Sequence, residues 1–169
     1  MTSSMSSEQL LRSRNTSDKN MNNNNEERTL GRQIAVSTLY SLDFNDQLSA
    51  DVDLTVFPGM TKEETDDIDE GAKTFARYIV LGTLEKLEEI DAIISKYSIN
   101  RPISKINIVD RNVLRISFFQ LLNLKDTHPT IIIDQAVKLS QSLSNDVSYK
   151  FINGILDTYV KDQNKNDRT

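Results

Sequence analysis

VDRNVLRISFFQLLNL, residues 109–124, decides the fold. Val109, Val113, Leu114, Ile116, Phe118, Phe119, Leu121 and Leu122 fall on more than one face of a helix. A helix apolar nearly all round belongs at the centre of a helical protein. The flanking segments carry narrower stripes at helical spacing. Upstream, Ala35, Leu39 and Leu42 predict a first helix over residues 28–44. Residues 45–60 are less regular, with a turn at Pro58-Gly59, and Leu54 and Phe57 return to the body. Thr61 and Glu64 form a capping box. The helix they open carries Ile68, Ala72, Phe75 and Ile79, then Leu84, Leu87, Ile90, Ile94 and Tyr97. The spacing predicts one long helix, bent or broken near Gly82 and closed by Pro102. Downstream, Pro129 starts a helix with Ile132, Ala136, Leu139 and Leu143 on one face. Its run of three isoleucines at 131–133 is strand-like, but the period that follows is helical. Residues 144–146 supply caps for a last helix with Ile152, Ile155, Leu156 and Tyr159 inward. The expectation is an all-α bundle.

Composition narrows the function. The 169 residues suit one domain or two small helical units sharing a core. With no cysteine, disulfides, thiolate zinc sites and cysteine nucleophiles are excluded, and a single histidine, His128, leaves little acid–base chemistry. No apolar run approaches the roughly 20 residues of a bilayer span, and the N-terminus lacks the apolar segment of a secretory signal. A cytoplasmic protein is expected. The acids from Glu63 to Glu70 suggest a metal site, but no EF-hand glycine is present, and acids suit the positive end of a helix. No enzyme, metal or cofactor is expected.

The net charge of −5 argues against an indiscriminate nucleic-acid binder, yet the charge is polarised. Residues 43–91 hold 14 acids against 4 bases, net −10, while residues 92–169 hold 7 against 11, net +4. Residues 28–42 carry Arg28 and Arg32 and no acid. If the two basic ends meet, an acidic protein can still present an anion-binding surface. Residues 1–27 are polar, rich in Ser and Asn, and have little to bury, which predicts a disordered tail.

Two strings are too specific for a generic amphipathic helix: Lys150-Phe151-Ile152-Asn153-Gly154-Ile155-Leu156-Asp157, and Val109-Asp110-Arg111-Asn112-Val113-Leu114-Arg115. With Ile133-Asp134-Gln135-Ala136-Val137-Lys138-Leu139 and Arg32-x-x-Ala35-x-x-x-Leu39-Tyr40-x-x-Asp43, they resemble the NusB family over residues 28–160. The resemblance implies two small helical bundles packed roughly perpendicular, here within residues 28–165. It also implies a transcription antitermination factor that binds boxA-type single-stranded RNA of rRNA transcripts as a heterodimer with NusE. That ribosomal protein doubles as an elongation factor, and the pair promotes read-through by RNA polymerase. Carried over, the RNA-binding residues are Arg28, Arg32, Lys150 and Phe151, and those for NusE are Tyr40, Asp110 and Arg115. Arg28 and Arg32 are expected on an exposed face, and the free N–H groups opening the last helix suit phosphate.

Each residue has a plainer alternative. Phe151 on helical spacing alone suits the core, and Asn153-Gly154 suits close helix packing. Tyr40 could be a core tyrosine, and Arg115 an internal ion-pair partner of Asp134. The chain departs from the family pattern where Thr29, Leu30 and Gly31 dilute the arginine run, Arg101 and Lys105 stand for tryptophan and arginine, Gln120 for glutamate and Ser144 for glycine. The thinned arginines keep a second reading open, a NusB-like protein that self-associates as a homodimer and binds RNA weakly. A third, the NusB-like domain of an RNA cytosine methyltransferase, lacks a following cofactor-binding domain.

Overall fold

The computed structural model of the chain describes residues 7–168, and every regular element among them is helical. The elements are α1 (Ser7–Phe44), α2 (Lys62–Asp66), α3 (Glu70–Glu85), α4 (Leu87–Tyr97), α5 (Ile108–Asn123), α6 (Pro129–Leu143) and α7 (Ser148–Asp167), with a 3-10 turn at Ile103–Lys105 before α5.

Helix α5 is the hub, buried from Asn112 to Gln120 without a break. It packs against α1, α3, α4, α6 and α7. Around it stand two groups, α1 with α3, and α6 with α7. One continuous core runs through both, from Ala35 and Leu39 of α1 through Val113 and Phe118 of α5 to Ile152 and Leu156 of α7. Leu54 and Phe57 return to the body, so the irregular connection is tied down rather than loose. The turn there rests on Gly59, whose φ of +86° lies where a side chain is rarely tolerated.

Local chemistry sets most boundaries. Thr61 accepts from the Glu64 amide while Glu64 accepts from the Thr61 amide, completing the capping box. Asp69 caps α3 through the Gly71 amide. Glu70 pairs with Lys73 and Asp66 with Lys62, so several acids of this cluster have structural partners. His128 caps α6, its Nδ1 accepting from the Thr130 amide at 3.1 Å, with Pro129 at the first helical position.

Three expectations need correction. The first helix begins at Ser7, not at residue 28. The polar segment read as a disordered tail is helical over 7–27, and its first six residues lie outside the described ones. No proline or glycine interrupts residues 7–30, so the helix is not stopped. Residues 21–26 are exposed, however, and packing begins only at Glu27. The long middle helix breaks at Lys86, not at Gly82. Gly82 lies inside α3 because Phe119 presses on it: a Cβ there would stand 2.2 Å from the phenyl Cζ. Gly154, expected to serve close helix packing, has nothing within 4 Å of where its Cβ would be.

Candidate nucleic-acid interface

Arg28 and Arg32 sit one turn apart on α1, and both guanidiniums lie over the Phe75 ring, 5.5 and 5.3 Å from its centroid. They line one groove with Asp126, Thr127, Ile131 and Gln135 from the α5–α6 connection and α6. Arg32 is not on an exposed face as expected; it is only 4% exposed. The spacing 32, 35, 39 puts it on the same stripe as Ala35 and Leu39, which explains the burial. Its Nε donates to Gln120 Oε1 at 2.8 Å, and Gln120 in turn donates to the Ile116 carbonyl. The acceptor is neutral, and no ion pair to Arg32 occurs among the described residues. Burial, then the neighbouring Arg28 charge, lower the Arg32 pKa to about 10, which leaves it a cation at neutral pH.

Lys150 and Phe151 open α7 in a second groove, formed with residues 97–101. Phe151 is half-buried, packed on the core with one side and carrying the Arg101 guanidinium on its ring, 4.5 Å from the centroid. Lys150 is exposed. The helix start offers less to a phosphate than the sequence suggests. Asn145 Oδ1 accepts from the amides of Val147 and Ser148, and the Lys150 amide bonds the Val147 carbonyl. Ser144 adopts φ −119°, which needs no glycine. The two basic ends therefore line separate grooves, with α6 contributing to the first and packing along α7.

The residues assigned to a protein partner divide into surface and support. Tyr40 is 41% exposed, not a core tyrosine, and its ring stacks on Phe44, which is 65% exposed. Asp110 and Arg115 are only 2% and 5% exposed, so neither offers a surface to a partner. Arg115 does pair internally, but with Asp91 at 2.8 and 3.0 Å and with Asp43 at 2.9 Å, not with the exposed Asp134. Asp43 also accepts from Arg111 at 2.6 and 2.7 Å and from Asn112 at 3.0 Å. Burial raises the Asp43 pKa, but hydrogen bonds from Arg111 and Asn112 and the charges of Arg115 and Arg111 outweigh it and hold it below the usual carboxylate value. This cluster ties the end of α1 to α5 and α4 next to the Tyr40–Phe44 stack. Asp43, Asp91 and Phe44 carry roles that sequence reasoning did not assign. The available signal was polar: Arg111, Asn112 and Arg115 on a helix apolar nearly all round must find buried partners.

No helix among the described residues is long and apolar enough to cross a membrane. Comparison with known proteins converges on one group. Residues 29–161 match the NusB family. A transcription antitermination protein NusB of Treponema denticola is 41% identical over 90 residues, which cover 53% of this chain and 66% of that protein. One of Elusimicrobium minutum is 32% identical over 140 residues, 82% of this chain and 96% of the relative. A crystal structure of antitermination factors NusB and NusE in complex with dsRNA superposes with a TM-score of 0.68 at 26% identity, covering 80% of this chain and 97% of that one.

Proposed function

Because the chain belongs to the NusB family, we propose that it is a transcription antitermination factor that binds boxA-type RNA together with NusE and promotes read-through by RNA polymerase. One observation carries the RNA half of this reading. On a protein of net charge −5, Arg28 stands half-exposed at a groove on the Phe75 ring, and the buried Arg32 adds its positive charge from beneath, neither with an ion pair among the described residues. Cations on aromatic faces suit single-stranded RNA, whose phosphates want charge and whose bases want a plane. Lys150 and Phe151 form the second half of the RNA surface. The NusE surface is centred on Tyr40 with Phe44. Arg115 acts from behind it, tying α5 to Asp43 at the end of α1, while Asp110 is buried on α5 with its Oδ1 unpaired among the described residues.

The role is binding, not catalysis, and its place is the cytoplasm, where transcripts are made. The folded unit is residues 28–165, and the part of α1 that precedes it is an extension of its first helix. Fluorescence anisotropy of a labelled boxA-type RNA, with and without NusE across a salt series, tests the reading. Salt-sensitive binding that tightens with NusE is the expected result. Absence of binding under both conditions, with a homodimer in solution, would replace it by the self-associating alternative.

A further inference from the structure

The groove at the start of α7 holds a feature that packing does not explain. Gly154 lies inside a helix, where glycine costs about 1 kcal/mol relative to alanine. Such a glycine is usually repaid by close contact, yet here a Cβ would meet nothing within 4 Å. The space it leaves open faces the same groove as Phe151, Lys150 and Arg101. That groove has a volume of about 490 Å³, within the range of sites that hold a small ligand. None of its lining residues is acidic, in a chain with 25 acids.

Arg101 is held in place locally. Ser98 Oγ, itself buried, donates to the Arg101 carbonyl at 2.6 Å, and the Arg101 amide bonds back to the Ser98 carbonyl. This closed turn sets the guanidinium on the Phe151 ring. The neighbouring Ile99 is 87% exposed, so the turn projects from the body. A planar cation stacked on an aromatic ring leaves its outer face for another plane, and nucleobases stack on guanidinium planes as on aromatic rings.

We propose that Arg101, Phe151 and Gly154 form a subsite for one nucleotide of single-stranded RNA. The base lies across the bare Gly154 surface and stacks on the Arg101–Phe151 pair, while Lys150 takes the adjoining phosphate. The proposal rests on the RNA-binding reading above and adds Arg101 and Gly154 to it as contact residues.

The test uses substitutions that separate binding from folding. Gly154→Ala and Gly154→Leu improve helix propensity, so both melt at or above the wild-type temperature. Both nevertheless weaken binding of a boxA-type RNA in the presence of NusE, and Leu does so by about tenfold, the loss of one base stack. Arg101→Ala has a similar effect, whereas Arg101→Lys keeps the charge but still loses the stack. Lys150→Gln lowers the slope of log affinity against log salt by about 0.7, one phosphate contact on a single strand. With an abasic residue at one position of the RNA, wild type and Arg101→Ala bind alike. Gly154→Leu or Arg101→Ala binding at wild-type affinity, or no abasic position that removes the Arg101→Ala effect, overturns the subsite. Failure of the wild-type protein to bind RNA at all overturns the proposed function instead.

Discussion

Replacing Asp43 by asparagine changes no volume and removes one charge from the cluster that joins α1 to α5. The carboxylate accepts four hydrogen bonds, three of them on Oδ2 and one on Oδ1. An asparagine oxygen in the Oδ2 position keeps three as bonds to a neutral acceptor. Its amide then faces Arg111 Nη2, donor against donor. A hydrogen bond to a charged group contributes about 1.5–3 kcal/mol against about 0.5–1.5 kcal/mol for a neutral one. Added singly, three weakened bonds and one lost bond reach roughly 5 kcal/mol. Two of the three kept bonds still have a charged arginine donor, which brings the expected loss down to roughly 3 kcal/mol, within the about 3–5 kcal/mol for breaking a buried pair. Arg115 keeps its paired contact with Asp91, which holds the loss to the lower end. For a chain of this size the melting temperature falls by about 6–12 °C. The assay is urea denaturation of wild type and Asp43→Asn at neutral pH, repeated on acidification. Because the folded Asp43 pKa is depressed, its stabilisation is complete above the unfolded value near ~3.9 and is lost as pH falls through the folded value. The gap between the two proteins must therefore close below about pH 4. A loss under about 1 kcal/mol at neutral pH, or a gap that persists in acid, would refute the assignment of the charge to this role.

Gly82→Ala is destabilising although alanine is the better helix former, because the new methyl forces Phe119 out of its rotamer; overpacking of about 1–3 kcal/mol exceeds a propensity gain of about 1 kcal/mol, and thermal melting decides it. Arg28→Gln leaves the melting temperature within about 2 °C and flattens the salt dependence of RNA binding, since Arg28 is half-exposed and its loss strands no buried acceptor. Tyr40→Ala with Phe44→Ala preserves the fold and weakens NusE binding by about tenfold or more, read by calorimetric titration. Asp110→Lys lowers stability by on the order of 3 kcal/mol, seen as loss of helical signal on mild heating, because the site is buried; a stably folded variant with normal melting would place Asp110 at the surface after all.

The helices were legible because their signals are local. Periodicity, the Thr61 box and Pro129 each act within a turn or two of the residues they govern, so the pattern in the chain suffices to place them. What was not legible depends on partners far away in sequence. Asp43 meets Arg111, Asn112 and Arg115 across 68 to 72 positions, and no local pattern announces that meeting. Gly82 shows the same limit, since breaking a helix and admitting a phenyl ring leave the same single letter in the sequence. Arg32 is different. Its place on the Ala35–Leu39 stripe was visible, and burial followed from the period; the expectation of exposure came from grouping it with Arg28, four residues away, on a separate charged face.

Charge alone misleads because the chain uses cations in two ways. Arg111 and Arg115 are neutralised by Asp43 and Asp91, and Lys62, Lys73 and Lys161 by acids three or four residues away on their own helices. Such cations have spent their charge on the fold and have little left for a phosphate. Arg28, Arg32 and Arg101 have no ion pair among the described residues, and each lies on an aromatic ring at a groove. Arg77 on Phe57 and Lys96 on Tyr97 also have no ion pair among the described residues, but neither lines these two grooves, and Lys86 is unpaired but bonded to Asn123. Placement at the two grooves is what sets the three arginines apart on an acidic protein. It also accounts for Gln120, whose neutral side chain orients Arg32 without cancelling its charge, as a carboxylate there would.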